Sequence, residues 1–325
     1  MLRRTMMALV AGTALTGFAA ASSAETLEWT AGQIGGGWYT QASGMANMLQ
    51  EANPGLTIKV VPGGGTANPT KVERNISQLG SGLDIFTFAA SKGKFNYEGK
   101  PHENLQMIGM SFSDIYLHLV AAENAPVKDF EELFTKAENV KIAVTQSGSS
   151  DEQTFRYLMA HYGTDYDRLR SERGWKINLL DYAASGSQFA DGQVDYVFHA
   201  LGIPGAAIVE MTQSRDAEIL PWPESVQDAM AETYGYTKGS LPAGTYPSAQ
   251  DGPEPTIIMA TTLMVNKDVS EDTVYNITKT LCENSDKLAT IHQSMSVFDC
   301  ATAAKSAPAP IHPGAARYYK EQGYM

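Results

Sequence analysis

Residues 27–51 read LEWTAGQIGGGWYTQASGMANMLQE, and this stretch decides the fold class. Residues 27–31 are typical of a β-strand, residues 35–37 are three consecutive glycines, and residues 38–51 are predicted as a helix. A strand, a glycine turn and a helix in this order make up one unit of an α/β protein. The stretch therefore predicts an α/β fold, provided that the unit repeats along the chain.

The rest of the chain repeats this unit in two blocks. In the first block, a strand at 57–61 is followed by a second run of three glycines, a helix at 69–79 and a third strand at 83–88. Alternating strands and helices predict a mostly parallel sheet with helices on its faces. From residue 115 onward the predicted strands are 115–121, 141–144, 176–180, 194–198, 218–220 and 256–265, and the predicted helices are 127–137, 150–162, 270–294 and 313–321.

Two α/β blocks without a linker between them predict two lobes joined by a hinge. The strands that cross between the lobes are expected near 117–121 and 257–265, and the C-terminal helices return to the first lobe. Lobe 1 is predicted to comprise residues 25–118 with 264–325, and lobe 2 the inserted residues 119–263. Ligands of such sheets bind outside the carboxyl ends of the strands, which for two facing lobes is the cleft between them.

Residues 1–24 predict a signal peptide and therefore export. Arg3 and Arg4 precede an apolar run at 6–21, and Ser22–Ala24 is an acceptable variant of the small-residue cleavage pattern. The run is shorter than the ~20 apolar residues of a membrane-spanning helix, which favours a cleaved signal peptide over a membrane anchor. No lipobox cysteine follows it, so we expect a mature chain that is soluble in the periplasm and not inserted in the membrane.

Charge and cysteine content limit the classes of partner. The formal net charge is −12, which disfavours binding to nucleic acid or to anionic lipid. The two cysteines, Cys282 and Cys300, can form a disulfide in an oxidising exported compartment. A pair of buried free thiols is the alternative.

Three turns between a predicted strand and a predicted helix combine Gly with Ser, Thr or Asn. They are GGGWY at 35–39, GGGTAN at 63–68 and SGSSD at 147–151. The start of a helix leaves backbone N–H groups unpaired and carries a partial positive charge, so such a turn binds a carboxylate without needing Lys or Arg. Ordinary helix capping is the alternative for each single turn. Three such turns, distributed over both blocks, favour an anion-binding site.

The sequence carries no catalytic, nucleotide or metal motif that we recognise. No glycine run continues as Gly-Lys-Ser/Thr, the G-x-S-x-G pattern of α/β hydrolases does not occur, and the six histidines lack the spacing of metal ligands. We therefore expect a binding protein without a cofactor or a metal, and not an enzyme.

Four blocks of the sequence resemble the TAXI family, the TRAP-associated extracytoplasmic solute receptors. These blocks are residues 35–39, 202–208, 242–247 and 312–319, and the similarity extends from Leu27 to the C-terminus. The resemblance implies a type II periplasmic-binding-protein fold, in which two α/β lobes are joined by a hinge and enclose a ligand cleft.

The resemblance also implies what the protein binds and what it works with. The expected ligand is a small organic acid, which is a glutamate-like amino acid, a dicarboxylate or a 2-oxo acid. The expected partners are the membrane subunits of a TRAP-type secondary transporter, to which a monomeric receptor delivers the solute. An exported sensory ligand-binding domain and a secreted α/β hydrolase are the alternatives.

The turns and the resemblance together predict a ligand site in the cleft. Trp38 and Tyr39 either line the pocket or belong to the core, and Tyr246 either covers the cleft or packs over the strands. The family commonly has Thr where this chain has Asp151, which adds negative charge beside the anion site. The predicted ligand-binding residues are Gly36, Gly37, Trp38, Tyr39, Gly65, Thr66, Asn68, Ser91, Ser147, Gly148, Ser149, Ser150, Gly202 and Tyr246.

We expect the mature protein to begin near Glu25, because cleavage follows the small residues that end at Ala24. N-terminal sequencing of protein exported from an expressing bacterium measures this directly. An exported, soluble protein that retains Met1 would contradict the prediction.

Overall fold

The computed structural model describes residues 25–325, so the predicted signal peptide lies outside the described residues. The strands are β1 (Glu25–Thr30), β2 (Leu56–Val61), β3 (Leu79–Leu83), β4 (Leu105–Ala122), β5 (Lys141–Thr145), β6 (Lys176–Leu180), β7 (Tyr196–Leu201), β8 (Ala217–Ile219), β9 (Thr237–Leu241) and β10 (Glu254–Asn266).

Helices separate most of these strands. They are α1 (Gly37–Ala52), α2 (Asn68–Glu73), α3 (Asp84–Lys92), α4 (Phe130–Thr135), α5 (Ser150–His161), α6 (Tyr166–Arg173), α7 (Tyr182–Ala190), α8 (Ala206–Ser214), α9 (Glu224–Tyr234), α10 (Glu271–Glu283), α11 (Ser285–Ile291) and α12 (Pro313–Glu321). Among the helices of residues 25–325, none has the length and apolar character needed to cross a membrane.

One sheet contains all of the strands named above. Its order is β2-β1-β3-β10-β4-β7-β5-β6, with β8 paired to β4 and β9 paired to β10. β1 pairs in parallel with β2 and β3, and β5 pairs in parallel with β6 and β7. β4 and β10 are antiparallel to each other, and each is antiparallel to its outer neighbour. The sheet therefore consists of two parallel parts held together by the β4–β10 pair.

The strands β4 and β10 pass from one hydrophobic core into another, which divides the molecule into two lobes. β4 places Ile108 and Phe112 in the first-lobe core and Ile115 in the second-lobe core. β10 places Met259 in the second-lobe core and Leu263 in the first-lobe core. The lobe limits of 25–118 with 264–325 for lobe 1 and 119–263 for lobe 2 stay a prediction. The chain passes from one core to the other within β4 and within β10.

Helix α1 shows how the first lobe is stabilised. Its Met45 and Leu49 are buried one turn apart and belong to the same core as Trp29 of β1. Burial of an apolar side chain of this size stabilises the fold by about 1.5–3 kcal/mol. The same packing fixes the position of the turn that connects β1 to α1.

The third strand predicted at 83–88 is wrong. The strand ends at Leu83, and Asp84 begins helix α3. Strand propensity is high at Ile85–Phe86, but these residues are buried together with Ala89–Ala90 one turn later. That spacing places all four side chains on one face of a helix, so packing overrides the local preference.

Other helices also differ from the prediction. The helix expected at 69–79 ends at Glu73, because the chain turns at Asn75 with a φ of 54°. The helix expected at 270–294 is two helices, α10 and α11, which meet at Asn284. Helices α6 to α9 were not predicted.

A disulfide joins Cys282 of α10 to Cys300. The two residues are 18 positions apart, and Cys300 is buried in the first-lobe core. The bond therefore links helix α10 to the segment that leads towards α12.

Replacing both cysteines by serine should lower the free energy of unfolding by about 3 kcal/mol, because the bond restricts a loop of this length in the unfolded chain. Urea denaturation of the double variant and of the wild-type protein measures the difference. Titration of the unfolded, unreduced wild-type protein should find no free thiol, and two free thiols would show that the bond does not form.

Candidate functional site

A small cavity lies between the lobes, where the turns after β1, β2 and β5 meet the end of β7. Its volume is about 50 Å³, which is enough to hold roughly four water molecules. Its wall consists of Gly32, Gln33, Gly36, Gly37, Trp38, Gln41, Gly63, Gly64, Gly65, Ile115, Ser149, Ser150, Asp151, Tyr182, Ala200, Leu201 and Gly202.

The first wall is the start of helix α1. Gly36 is the N-cap residue, with an extended backbone and no side chain to accept a hydrogen bond. The N–H groups of Gly37 and Trp38 have no acceptor within the helix, because the first turn of a helix lacks preceding carbonyls. These donors and the positive end of the helix dipole are therefore available to an anion in the cavity.

The side chain of Trp38 crosses from one lobe to the other. Its helix belongs to the first lobe, yet the indole packs against the second-lobe core. Its Nε1 is buried and has no hydrogen-bond partner in residues 25–325. Trp38 therefore closes one side of the cavity and leaves one N–H donor unused.

The second wall is the turn Gly63–Gly65, which packs against the third turn in the opposite lobe. A Cβ on Gly64 would lie 2.4 Å from the carbonyl oxygen of Gly148, and a Cβ on Gly65 would lie 2.9 Å from Cβ of Ser150. The backbone N–H of Thr66 donates to the same Gly148 carbonyl at 3.2 Å. Glycine is needed here because the two backbones approach too closely for side chains.

The third wall is the start of helix α5. Ser149 is its N-cap, and its Oγ accepts a hydrogen bond from the N–H of Glu152 at 3.1 Å. Ser150 Oγ donates to Asp151 Oδ2 at 3.1 Å. Both hydroxyls thus have structural roles. Ser149 caps the helix, as the alternative to ligand binding supposes, but its hydroxyl proton is not used by the cap and is still available to a ligand.

Asp151 is the one carboxylate in the wall. It is 1% exposed, and its Oδ1 accepts hydrogen bonds from Thr145 Oγ1 at 2.7 Å and from the N–H of Ala200 at 2.8 Å. Tyr182 Oη donates to the same oxygen at 3.4 Å. Burial raises the pKa of Asp151, and the hydrogen bonds from Thr145 and Ala200 oppose that shift. None of the wall residues is Lys, Arg or His.

Two glutamines of the wall differ in their hydrogen bonding. Gln41 donates from Nε2 to Ser294 Oγ at 3.0 Å and accepts from Ser113 Oγ at 3.3 Å. Gln33 instead has a buried Oε1 with no partner among the described residues. Gln33 and Trp38, two residues of the wall, therefore each carry one buried polar atom without a hydrogen-bond partner among the described residues.

Half of the predicted site residues line the cavity, and others lie beside it. Ser147 and Gly148 line a neighbouring surface groove, and Thr66 contacts Gly148 as described above. The predicted residues in the cavity wall are Gly36, Gly37, Trp38, Gly65, Ser149, Ser150 and Gly202.

The remaining four predicted residues also lie outside the cavity wall. Tyr39 packs against the first-lobe core, and Ser91 lies in helix α3. Asn68 is fully buried and holds the second turn, since its Oδ1 accepts from the N–H of Gly64 at 3.0 Å. Tyr246 is 1% exposed and packs over the strands.

Tyr246 holds the segment that follows β7 in place. Its Oη accepts from the N–H of Gly205 at 2.8 Å and lies 3.0 Å from Nε2 of His118. His118 is fully buried, and burial lowers its pKa to about 4. Tyr246 and His118 therefore form a structural pair at neutral pH.

Several wall residues were not predicted. Gln33 and Gln41 flank the first turn, and a wider reading of that turn would have included them. Tyr182 starts helix α7, which the sequence analysis missed, and its ring lies against Gly36 of the other lobe. No local pattern indicates that contact, because residues 36 and 182 meet only when the lobes are packed together.

Comparison with known proteins gives a family match and structural neighbours. The sequence profile of the NMT1-like family matches residues 29–323. The structure of the periplasmic binding protein BugD aligns with 92% of this chain and 94% of BugD, at 14% identity and a TM-score of 0.53. MatC from Rhodopseudomonas palustris, solved with bound malate, aligns with 92% of this chain and 97% of MatC, at 16% identity and a TM-score of 0.56. The expected two-lobed α/β fold of type II periplasmic binding proteins is thus confirmed.

Replacing Gly64 by Ala should hold the lobes apart, because the added Cβ would lie 2.4 Å from the Gly148 carbonyl oxygen. Small-angle scattering should give a larger radius of gyration than for the wild-type protein, with a similar melting temperature because neither core changes.

Gly252→Ala is the matched control, since a Cβ there meets no atom within 4 Å. Scattering curves that are identical for Gly64→Ala, Gly252→Ala and wild-type protein would contradict the close packing of the two turns.

Proposed function

The chain belongs to the NMT1-like family, and from this premise we propose that it is an exported solute-binding protein. It captures a small organic acid in the cavity between its lobes and delivers that acid to a TRAP-type secondary transporter. The ligand class is a glutamate-like amino acid, a dicarboxylate or a 2-oxo acid. The observation that carries the proposal is a cavity between two lobes, with the uncapped start of helix α1 in its wall.

The start of helix α1 supports an acid as the ligand. It offers the backbone N–H groups of Gly37 and Trp38. As a third donor to the ligand we assign the indole Nε1 of Trp38, which is buried and has no partner in residues 25–325. Backbone and indole donors bind a carboxylate without a cationic side chain. MatC, which has the same fold, was solved with malate, a small organic acid.

Closure of the lobes supports capture rather than simple surface binding. Ligand in the cavity touches the turns of the first lobe and, at the same time, Ser149, Asp151 and Tyr182 of the second. Only the closed arrangement makes both sets of contacts, so the ligand shifts the equilibrium towards closure. A transporter can then recognise the loaded protein by its closed shape.

A binding role is supported over catalysis by the chemistry of the wall. Ser149 Oγ serves as a helix cap and Ser150 Oγ donates a hydrogen bond to Asp151, and no histidine or lysine lies in the wall beside either hydroxyl. Within residues 25–325 no group of three or more His, Cys, Asp or Glu is placed to hold a metal ion. The TRAP partner and the periplasmic location rest on the sequence resemblance and on the predicted signal peptide.

A thermal-shift screen of small organic acids on the mature protein tests ligand capture, and uptake into vesicles that contain TRAP membrane subunits tests delivery. The expected result is a ligand that raises the melting temperature and is taken up only when the protein is present. Uptake that proceeds equally well without the protein would contradict delivery.

Trp38→Phe should weaken binding of the identified acid by roughly tenfold, because the ring remains but the Nε1–H donor is lost. Isothermal titration calorimetry measures the change. Trp222→Phe is the matched control, since Trp222 also has a buried Nε1 without a partner in the described residues but lies in the second-lobe core. Equal affinities of the Trp38→Phe variant and the wild-type protein would place the acid elsewhere.

A further inference from the structure

We propose that Asp151 binds a positively charged nitrogen of the ligand, so that the captured acid is a small α-amino acid in its zwitterionic form. This inference rests on the proposed function. Of the three proposed ligand classes it selects the amino acid, with a side chain shorter than that of glutamate. The supporting observations are the unpaired charge of Asp151, the donors and acceptors of the cavity wall, and the size of the cavity.

Asp151 forms no ion pair within residues 25–325, the part of the chain that the structure describes. Its side chain is 1% exposed and lines the cavity, and the wall contains no Lys, Arg or His. A buried carboxylate without a counter-charge is unfavourable, even when hydrogen bonds satisfy part of its capacity. A ligand ammonium group supplies the missing positive charge inside the cavity.

The unused donors and acceptors also match a zwitterion. Trp38 Nε1 and the first N–H groups of helix α1 are donors, which suit a carboxylate. Gln33 Oε1 is a buried acceptor without a partner in residues 25–325, and Asp151 Oδ2 accepts only from Ser150 Oγ. An ionised dicarboxylate such as succinate has no hydrogen to donate to either acceptor, whereas an ammonium group has three.

The size of the cavity limits the ligand to few atoms. About 50 Å³ of space open to water-sized groups accommodates an amino acid with a short side chain. Gly36 and Gly64 are in tight contact with the opposite lobe, so the wall cannot widen there while the lobes stay closed.

The titratable groups around Asp151 stay neutral at neutral pH, so a change of charge there is assigned to Asp151. It is packed against β5 through Thr145, against β7 through Ala200 and against α7 through Tyr182. Tyr182 has a pKa well above its ordinary value because of burial, and it stays neutral. His199, whose ring lies 4.9 Å from that of Tyr182, has a pKa lowered to about 3 by burial and is neutral as well.

The sign of the pH dependence follows from these states. Burial raises the pKa of Asp151, and a cationic ligand favours its ionised form. Affinity for an amino acid therefore rises as the pH rises through the pKa of Asp151 in the free protein. A purely anionic ligand favours the protonated carboxyl, so its affinity falls over the same range.

Calorimetry with matched pairs of probes tests the inference. The pairs are glycine with glycolate and L-alanine with L-lactate, which differ in an ammonium group against a hydroxyl, and succinate serves as a dicarboxylate. The wild-type protein should bind at least one amino acid about 10- to 100-fold more tightly than its hydroxy acid, since a charge-assisted hydrogen bond is lost. The affinity of the wild-type protein for the amino acid should increase as the pH rises, because burial raises the pKa of Asp151 and the ammonium group binds its ionised form.

Asp151→Asn should reduce this preference to within about threefold, because it removes the charge that attracts the ammonium group of the amino acid and that repels the anionic hydroxy acid. Binding of the amino acid should weaken, and binding of the hydroxy acid should become tighter. If the variant does not fold, the preference of the wild-type protein for the amino acid and the pH dependence of that binding still test the inference. Hydroxy acids or succinate binding as tightly as the amino acids, or an affinity that falls with pH, would overturn the inference and leave the proposed function standing. Absence of binding by any organic acid would instead contradict the proposed function.

Discussion

The backbone contact between two turns from opposite lobes is the constraint on which the cavity depends. The carbonyl of Gly148 accepts from the N–H of Thr66, and the space beside it is so small that Gly64 has no room for a Cβ. This contact brings the start of helix α1 and the start of helix α5 to the same cavity. The glycines of the two turns therefore serve two purposes, which are close approach of the lobes and exposure of backbone donors to a ligand.

Local sequence predicted the fold class and the turns, but not the contacts between lobes. The α/β class and helix α12, which was placed at its observed limits, follow from strand and helix patterns that lie within short segments. The strand expected at 83–88 failed because the burial of Ile85 and Phe86 on a helix face outweighs their strand propensity. The contact of Tyr182 with Gly36 could not be predicted, since it depends on how two distant segments meet.

The electrostatics of the site come from buried groups rather than from the net charge of the chain. A net charge of −12 disfavours anions at long range, yet the start of helix α1 offers an anion several backbone donors at close range. Asp151 provides the opposite charge within the same cavity and is held in place by Thr145 and by the N–H of Ala200. A cavity with donors at one wall and a carboxylate at another distinguishes ligands by the placement of their charges.

Hydrogen–deuterium exchange with and without a saturating small organic acid is the most direct test of capture between the lobes. We expect peptides covering residues 36–40, 63–67 and 148–152 to become protected together, because the acid and the closed lobes shield all three turns. Peptides in the core strand β5 should not change. Protection of one turn alone, or of none, would contradict capture between the lobes.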